Sequence, residues 1–403
     1  MNHDSSDRRS TRRPWQLPDG IDELLPEAAA HVESLRRRLL DCAAGWGYQL
    51  VMPPMAEYTD SLLVGVGEDL DLLTCKFPDQ LSGRMLGLRA DITPQVARMD
   101  AHSLPGEQIN RLSYAGTTLH ARARSLAASR SPLQLGVELY GEASLSADIE
   151  VIDLLLTMLA EAGITIDDEL TLDLGHGDLV RHVLEQCVDG DSALEAALFD
   201  ALQRKSRPDL EALLAKVPND DGALLELLDL HGDMGVLDRA EVRFGTADAA
   251  VARALADIRG LADAVQQRHP GVSLYVDLAE LRGYHYHTGV VFAAYARGLG
   301  EALARGGRYD NVGEVYGRAR PATGFATDLR VLASQVSVAP PQTDAIAAPV
   351  SDDPALAAEV ARLRSQGQTV IMSLDGNADP RCGRQLSEID GRWQVLPKQG
   401  DKA

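Results

Sequence analysis

The chain has 403 residues, 45% of them hydrophobic but only 4% aromatic, which suits two or three domains with cores built mainly of Leu, Val, Ala and Ile. Sixty acidic against 39 basic residues give a formal net charge of −21, a field that repels phosphate backbones and counts against nucleic-acid binding by the folded body. Four cysteines without CxxC spacing argue against a disulfide framework and a zinc site, and no apolar run reaches the roughly 18 residues of a membrane span.

The basic cluster Arg8-Arg9 and Arg12-Arg13 lies in a polar stretch, residues 1–14, that reads as a disordered tail. No apolar segment follows it to make a signal peptide, so a soluble cytoplasmic protein is expected. Pro26 to Ala44 carries a helical pattern, with Pro26 in the first turn and Leu35, Leu39 and Leu40 as the apolar stripe. Tyr48 to Met52 reads as a strand stopped by Pro53-Pro54, and Leu86 to Ala90 as a second strand. Thr93 is expected to cap a helix that starts at Pro94 and runs to about Ala101.

Arg111–Leu119 and Leu133–Gly141 read as two strands of a hairpin with a long polar tip, residues 120–132. An amphipathic helix over Asp148–Ala162 and a strand over Leu170–Leu174 follow. From Asp178 to about Arg268 the pattern is almost wholly helical, a helical insertion in a β-containing core. Strand character returns at Val272–Leu278 and Thr288–Tyr295, and a helix is predicted from Thr323 to about Ser334. Val338–Val350 reads as a linker to a small C-terminal α/β unit, residues 338–403, with a helix at Asp352–Arg364 and strands at Thr369–Leu374 and Trp393–Leu396.

The P-loop, HExxH, GxSxG and GxGxxG signatures are all missing. Two segments stand out instead. On a strand, Gln134, Gly136 and Glu138 share one face, with the glycine leaving space between an amide and a carboxylate. That recipe holds a small polar ligand with a cationic end; a half-buried strand with a solvated polar face is the plainer alternative. In Arg282-Gly-Tyr-His-Tyr-His287, the rings of Tyr284, His285, Tyr286 and His287 suit a pocket wall with Arg282 at its mouth, and satisfied core tyrosines remain open. His285 and His287 lack a third nearby ligand, so no metal is expected.

Taken together, these segments resemble a class II aminoacyl-tRNA synthetase core, and specifically histidyl-tRNA synthetase, over residues 15–335. Trp15–Pro26 is similar to the family's opening segment and Met52-Pro-Pro-Met-Ala-Glu-Tyr58 to its motif 1, which builds a dimer interface. Leu88–Pro94 with the hairpin 111–141 resembles motif 2, Leu281–Gly289 the histidine-specific signature, and Gly306–Leu332 motif 3. The resemblance implies an α+β fold: an antiparallel sheet flanked by helices, with the insertion at about 178–268 and the small C-terminal α/β unit.

The departures from that pattern define the expected function. His120 stands where the motif 2 arginine belongs, Arg122 where a glutamate reads adenine, and Val331 where the motif 3 arginine belongs. Those arginines grip the ATP phosphates, so their loss implies a protein that forms no adenylate and is not an enzyme. The residues that would hold histidine are kept by resemblance: Asp91 (a glutamate in the synthetase), Thr93, His120, Gln134, Glu138, Arg282, Tyr286 and His287 (a tyrosine in the synthetase). Carboxylates match an α-ammonium or imidazole N–H, Arg282 the α-carboxylate, and the rings pack the imidazole.

A kept amino-acid pocket, lost ATP grips and a C-terminus too short for the usual anticodon-binding module resemble the ATP phosphoribosyltransferase regulatory subunits. Tyr284–Gly289 and Gly317-Arg-Ala-Arg-Pro-Ala-Thr-Gly-Phe325 are similar to that family in detail. The resemblance implies a homodimer that binds L-histidine and assembles with a short-form catalytic subunit. It would serve the first step of histidine biosynthesis and carry histidine feedback, with no cofactor, tRNA or membrane partner. The alternatives are a divergent histidyl-tRNA synthetase, or a stand-alone histidine-binding or scaffold protein; an orphan enzyme lacks a nucleophile or metal.

Overall fold

A computed structural model describes residues 16–65, 68–123, 128–167, 169–188, 190–217, 221–245, 249–280, 287–336 and 344–398. The tail 1–14 and the site candidates Arg282 and Tyr286 lie outside the described residues. The chain divides into two compact units, Met1–Ser337 and Val338–Ala403.

The first unit is built on a nine-stranded sheet. In spatial order its strands are Gln49–Leu50, Asn110–Thr117, Leu133–Tyr140, Ala322–Asp328, Ala304–Arg308, Val290–Ala296, Leu170–His176, Ser273–Asp277 and His231–Gly232. Only two pairings are parallel: Gln49–Leu50 with Asn110–Thr117, and Leu170–His176 with Ser273–Asp277. The hairpin predicted at 111–141 is antiparallel, with Tyr114 opposite Gly136 and Leu112 opposite Glu138.

Alternation along the strands sends opposite chemistry to opposite faces. Leu135, Val137, Leu139, Leu172, Leu174, Phe292 and Phe325 join the main core. Helix Pro26–Gly45 packs into it through Val32, Leu35, Leu39 and Ala43, spaced three and four apart as one helical stripe requires. Helix Leu145–Ala162 is buried along most of its length and ends at Gly163, whose left-handed φ of 98° lets its N–H reach the carbonyls of Ala160 and Leu159. The other face of the sheet carries Gln134, Gly136 and Glu138 and opens onto a cavity.

The insertion consists of helices Gly177–Val188, Ser192–Gln203, Arg207–Leu214, Ala223–Asp229, Gly235–Phe244 and Ala249–Arg268 with the short strand His231–Gly232 among them. Asp191 caps the second helix by accepting from Ala193 N and Leu194 N. A small sheet of Ala56–Tyr58, Met85–Leu88 and Cys75–Pro78 takes its first strand from the motif 1 segment. The second unit is a four-stranded sheet, Val370–Met372, Ala345–Ala348, Cys382–Ile389 and Arg392–Pro397 in spatial order, with helix Pro354–Ser365 packed on a core that includes Ile346, Leu356, Val360 and Leu386. No described helix is long and apolar enough to cross a membrane.

Three expectations need correction. The helix predicted from Thr323 is a strand, Ala322–Asp328, and the helix begins only at Leu329, capped by Asp328 accepting from Arg330 N. Thr93 is not a cap but the first residue of helix Thr93–Ser103; Asp91 accepts from Thr93 N at 3.0 Å, and the Thr93 hydroxyl turns to Tyr114. The stretch read as a linker contains the buried strand Ala345–Ala348, and Cys382–Ile389 was read as no element at all.

Leu156 is fully buried in the helix that backs the sheet. Leu156→Ala should cost about 2–5 kcal/mol through lost contacts and the cavity left behind, measured as a lowered midpoint in chemical denaturation.

Candidate functional site

The cavity has a volume of about 580 Å³, far more than one amino acid fills. Asp91, Thr93, His120, Gln134, Glu138 and His287 all line it, so the structure brings together every predicted site residue that it describes. The strand face of Gln134 and Glu138 is not solvated: Glu138 is only 1% exposed.

Glu138 sits at the bottom of the cavity. Tyr114 donates its hydroxyl to Oε1 at 3.1 Å and Tyr309 donates to Oε2. The Thr93 hydroxyl lies 3.0 Å from that of Tyr114, extending the network to the helix start. No basic side chain among the described residues contacts Glu138. Burial therefore pushes its carboxyl well above the usual range, against the lowering effect of hydrogen bonds from Thr93 and Tyr114, and the Asp91 charge adds to the rise. Tyr114 and Tyr309 were not singled out from sequence. The signal for Tyr114 was register: it stands opposite Gly136, and a Cβ there would collide with its hydroxyl. The gap expected at Gly136 is filled by this tyrosine and does not admit a ligand.

In cross-strand register with Glu138 come Gly324, Gly307, Val291 and Gly175. A Cβ on Gly324 would meet the Glu138 carboxylate, and one on Gly307 would come within 2.8 Å of the His287 ring. The missing side chains make the room that seats these two groups. His287 donates from Nδ1 to the Arg308 carbonyl at 3.2 Å, and its ring meets Tyr309 edge-on, 6.3 Å between centroids. Desolvation lowers its pKa to about 4, so the imidazole is neutral at neutral pH.

Arg308 fixes this wall from behind. Its guanidinium is 7% exposed and donates to Asp148 from Nε at 3.1 Å and Nη2 at 2.6 Å, and to the carbonyls of Glu142 and Ser144. Its own carbonyl also accepts from Thr288 N at 2.8 Å. Nearer the mouth, Gln134 donates to Asp91 at 2.8 Å and accepts from Ile92 N at 2.9 Å, which holds both polar groups toward the cavity.

Leu299, Leu303, Ala304, Ala326 and Val331 also line the cavity. His120 closes one side, its Nε2 3.0 Å from the Ala90 carbonyl, while Arg122 is exposed just beyond the hairpin strand. Two guanidiniums that sequence reading did not name do reach the lining, Arg305 and Arg330, against the acids Asp22, Asp91, Glu138, Glu301 and Asp328. Arg330 is engaged by Ser131 O and Oγ at 3.2 and 3.3 Å and by Asp22 at 3.5 Å. Among the described residues no group of three or more His, Cys, Asp or Glu is placed to hold a metal ion.

The antiparallel sheet, its helical backing and this cleft are those of a histidyl-tRNA synthetase-like core: residues 20–332 match the histidyl-tRNA synthetase family. The histidyl-tRNA synthetase of Nostoc sp. PCC 7120, at 16% identity, superposes with a TM-score of 0.72 over 93% of this chain and 92% of that one, which shows the shared fold. Residues 342–396 match a second family, the ATP phosphoribosyltransferase subunit HisZ C-terminal domain. The ATP phosphoribosyltransferase regulatory subunit of Pseudomonas putida F1 is 50% identical over 391 residues, 95% of this chain and 98% of the relative. A Bacillus halodurans C crystal structure described as an ATP phosphoribosyltransferase regulatory subunit/histidyl-tRNA synthetase is 27% identical, with a TM-score of 0.78 over 91% of this chain and 94% of that one. The chain belongs to the family of ATP phosphoribosyltransferase regulatory subunits.

The two perturbed groups predict opposite arms of a pH–stability profile. A carboxyl whose folded pKa is raised contributes stability below the ordinary carboxylate range and loses it as pH rises through the folded value. A histidine lowered from 6.5 to about 4 contributes stability above 6.5 and loses it as pH falls toward 4. Thermal melts of ligand-free Glu138→Gln should therefore show a midpoint that gains on that of the natural protein as pH rises above the ordinary carboxylate range.

Proposed function

We propose that this chain is the regulatory subunit of a hetero-oligomeric ATP phosphoribosyltransferase, a homodimer that assembles with a separate catalytic subunit and carries histidine feedback to it in the first step of histidine biosynthesis. Family membership supports the regulatory role. The observation that carries the ligand is the Glu138 seat: a buried carboxyl, held by Tyr114 and Tyr309 beside a neutral His287, in a cleft whose lining also bears Asp91 and Gln134.

Geometry divides the labour between the two carboxyl groups. Glu138, deep among rings, suits an imidazole N–H, whereas the shallower Asp91 with Gln134 suits the α-ammonium. Arg282 and Tyr286 belong to the same proposed set by resemblance, Arg282 taking the α-carboxylate, and His120 closes the pocket beside Ala90.

The lining of the cavity supports a non-catalytic role. Val331 offers a triphosphate no charge, and Arg330 is already held by Asp22 and Ser131. Among the described lining residues, Asp22, Asp91, Glu301 and Asp328 outnumber the two guanidiniums, so that part of the lining has no positive surplus of the kind phosphoryl and adenylyl transfer require. The net charge of −21 likewise disfavours tRNA.

Calorimetric titration should show histidine binding to the purified protein, and Glu138→Ala should weaken it by about 2–5 kcal/mol, the usual cost of stripping one partner from a buried polar contact. Full-affinity binding in that variant would remove Glu138 from the site. Incubation with ATP, histidine and labelled pyrophosphate should give no exchange, and the tagged protein should co-purify with a catalytic subunit whose activity depends on it. Robust exchange would instead mark a working synthetase.

A further inference from the structure

The residues before the Leu281–Gly289 signature and its last three, 287–289, are fastened to the helical insertion as well as to the sheet. On the entry side, strand His231–Gly232 pairs with Ser273–Asp277, and Leu278 N donates to the Leu230 carbonyl at 3.1 Å. Lys205 pairs with the Asp277 carboxylate, which is 4% exposed and also accepts from Ala279 N at 3.1 Å. Lys205 adopts a left-handed φ of 50° where helix Ser192–Gln203 ends, a conformation uncommon outside glycine and asparagine.

On the exit side, the first helix of the insertion reaches residues 287–289. Gly177 N donates to the Gly289 carbonyl at 2.9 Å, and Arg181 donates from Nη2 to the His287 carbonyl at 3.0 Å. Asp178, one turn earlier, pairs with the other end of that guanidinium and holds it in place. A Cβ on Gly177 would stand 3.2 Å from the His287 carbonyl oxygen, so helix and loop backbone are in close approach. His287 is thus gripped twice: the sheet holds its ring through Arg308, and the insertion holds its carbonyl through Arg181.

We propose that Arg181 is a positioning residue for the ligand cavity, and that through it occupancy beside His287 is transmitted to the helical insertion Gly177–Arg268. The inference rests on the histidine reading of the cavity. A ligand packed on the His287 ring bears on a residue whose main chain the insertion reads by hydrogen bond. By linkage, anything that displaces the insertion then alters histidine affinity by the same factor.

The test uses the full chain, free histidine, calorimetry and amide hydrogen exchange, for the natural protein, Arg181→Met and Arg181→Lys. In the natural protein saturating histidine slows exchange in helix Gly177–Val188. Arg181→Met loses that response and raises the dissociation constant about tenfold, the scale of one charge-assisted hydrogen bond. Its ligand-free thermal midpoint stays within about 3 °C of the natural protein, because the side chain is partly exposed and such ion pairs contribute little. Arg181→Lys recovers part of the affinity and of the exchange response, since an ammonium still donates to a carbonyl. A purely structural role would lower the midpoint and leave the histidine-dependent response intact. The proposal is overturned if histidine binds the natural protein without slowing exchange in that helix, or if Arg181→Met responds like the natural protein. Failure of the natural protein to bind histidine at all overturns the cavity reading and this inference together.

Discussion

A carboxyl group buried to 1% exposure, with no cation against it among the described residues, has to be held by hydrogen bonds, and the arrangement around Glu138 follows from that need. Tyr114 and Tyr309 supply the donors, and each brings its own requirements. Tyr114 needs a residue without a side chain opposite, which is Gly136; the carboxylate needs another beside it, which is Gly324. Thr93 joins the network only because the helix begins at that residue and its backbone N–H is already taken by Asp91. The polar floor is a fully connected set, and such sets specify one geometry where partly satisfied ones do not.

A second constraint lies behind the first. Residues Gly307 and Tyr309 face the cavity, while Arg308 between them points the other way into helix Leu145–Ala162 and meets Asp148 there. The ion pair lies out of water, so its worth depends on geometry being complete. The guanidinium meets that condition through two donors to Asp148 Oδ2 and its bonds to the Glu142 and Ser144 carbonyls, whereas Asp148 Oδ1 is buried with no hydrogen-bond partner among the described residues. Arg308 also lends its carbonyl to His287, so the helix layer, the sheet and the cavity wall are registered to one another at a single position.

The sequence was most legible where alternation or helical spacing was unopposed. The hairpin 111–141, helix Pro26–Gly45 and the helical block were read nearly at their observed bounds because apolar periodicity and Pro or Gly punctuation agreed. Ala322–Asp328 defeated that reading: Ala322, Phe325, Leu329 and Leu332 repeat with helical spacing, but the segment lies between two strands and is buried on both faces, so its burial carries no period of two. Cys382–Ile389, with Arg384, Gln385, Ser387 and Glu388, has too little apolar alternation to announce a strand. In the site, the residues aligned by family resemblance were findable, whereas Tyr114 and Tyr309 become visible only once register sets one against Gly136 and both against Glu138.

The run of Gly324, Gly307 and Gly175 beside Glu138 also limits how this protein can change. A single methyl group at Gly324 or Gly307 would strike the carboxylate or the imidazole that the bare backbone accommodates. Side-chain growth is therefore closed off at the floor of the cleft and left to its rim, at Asp91 and Gln134.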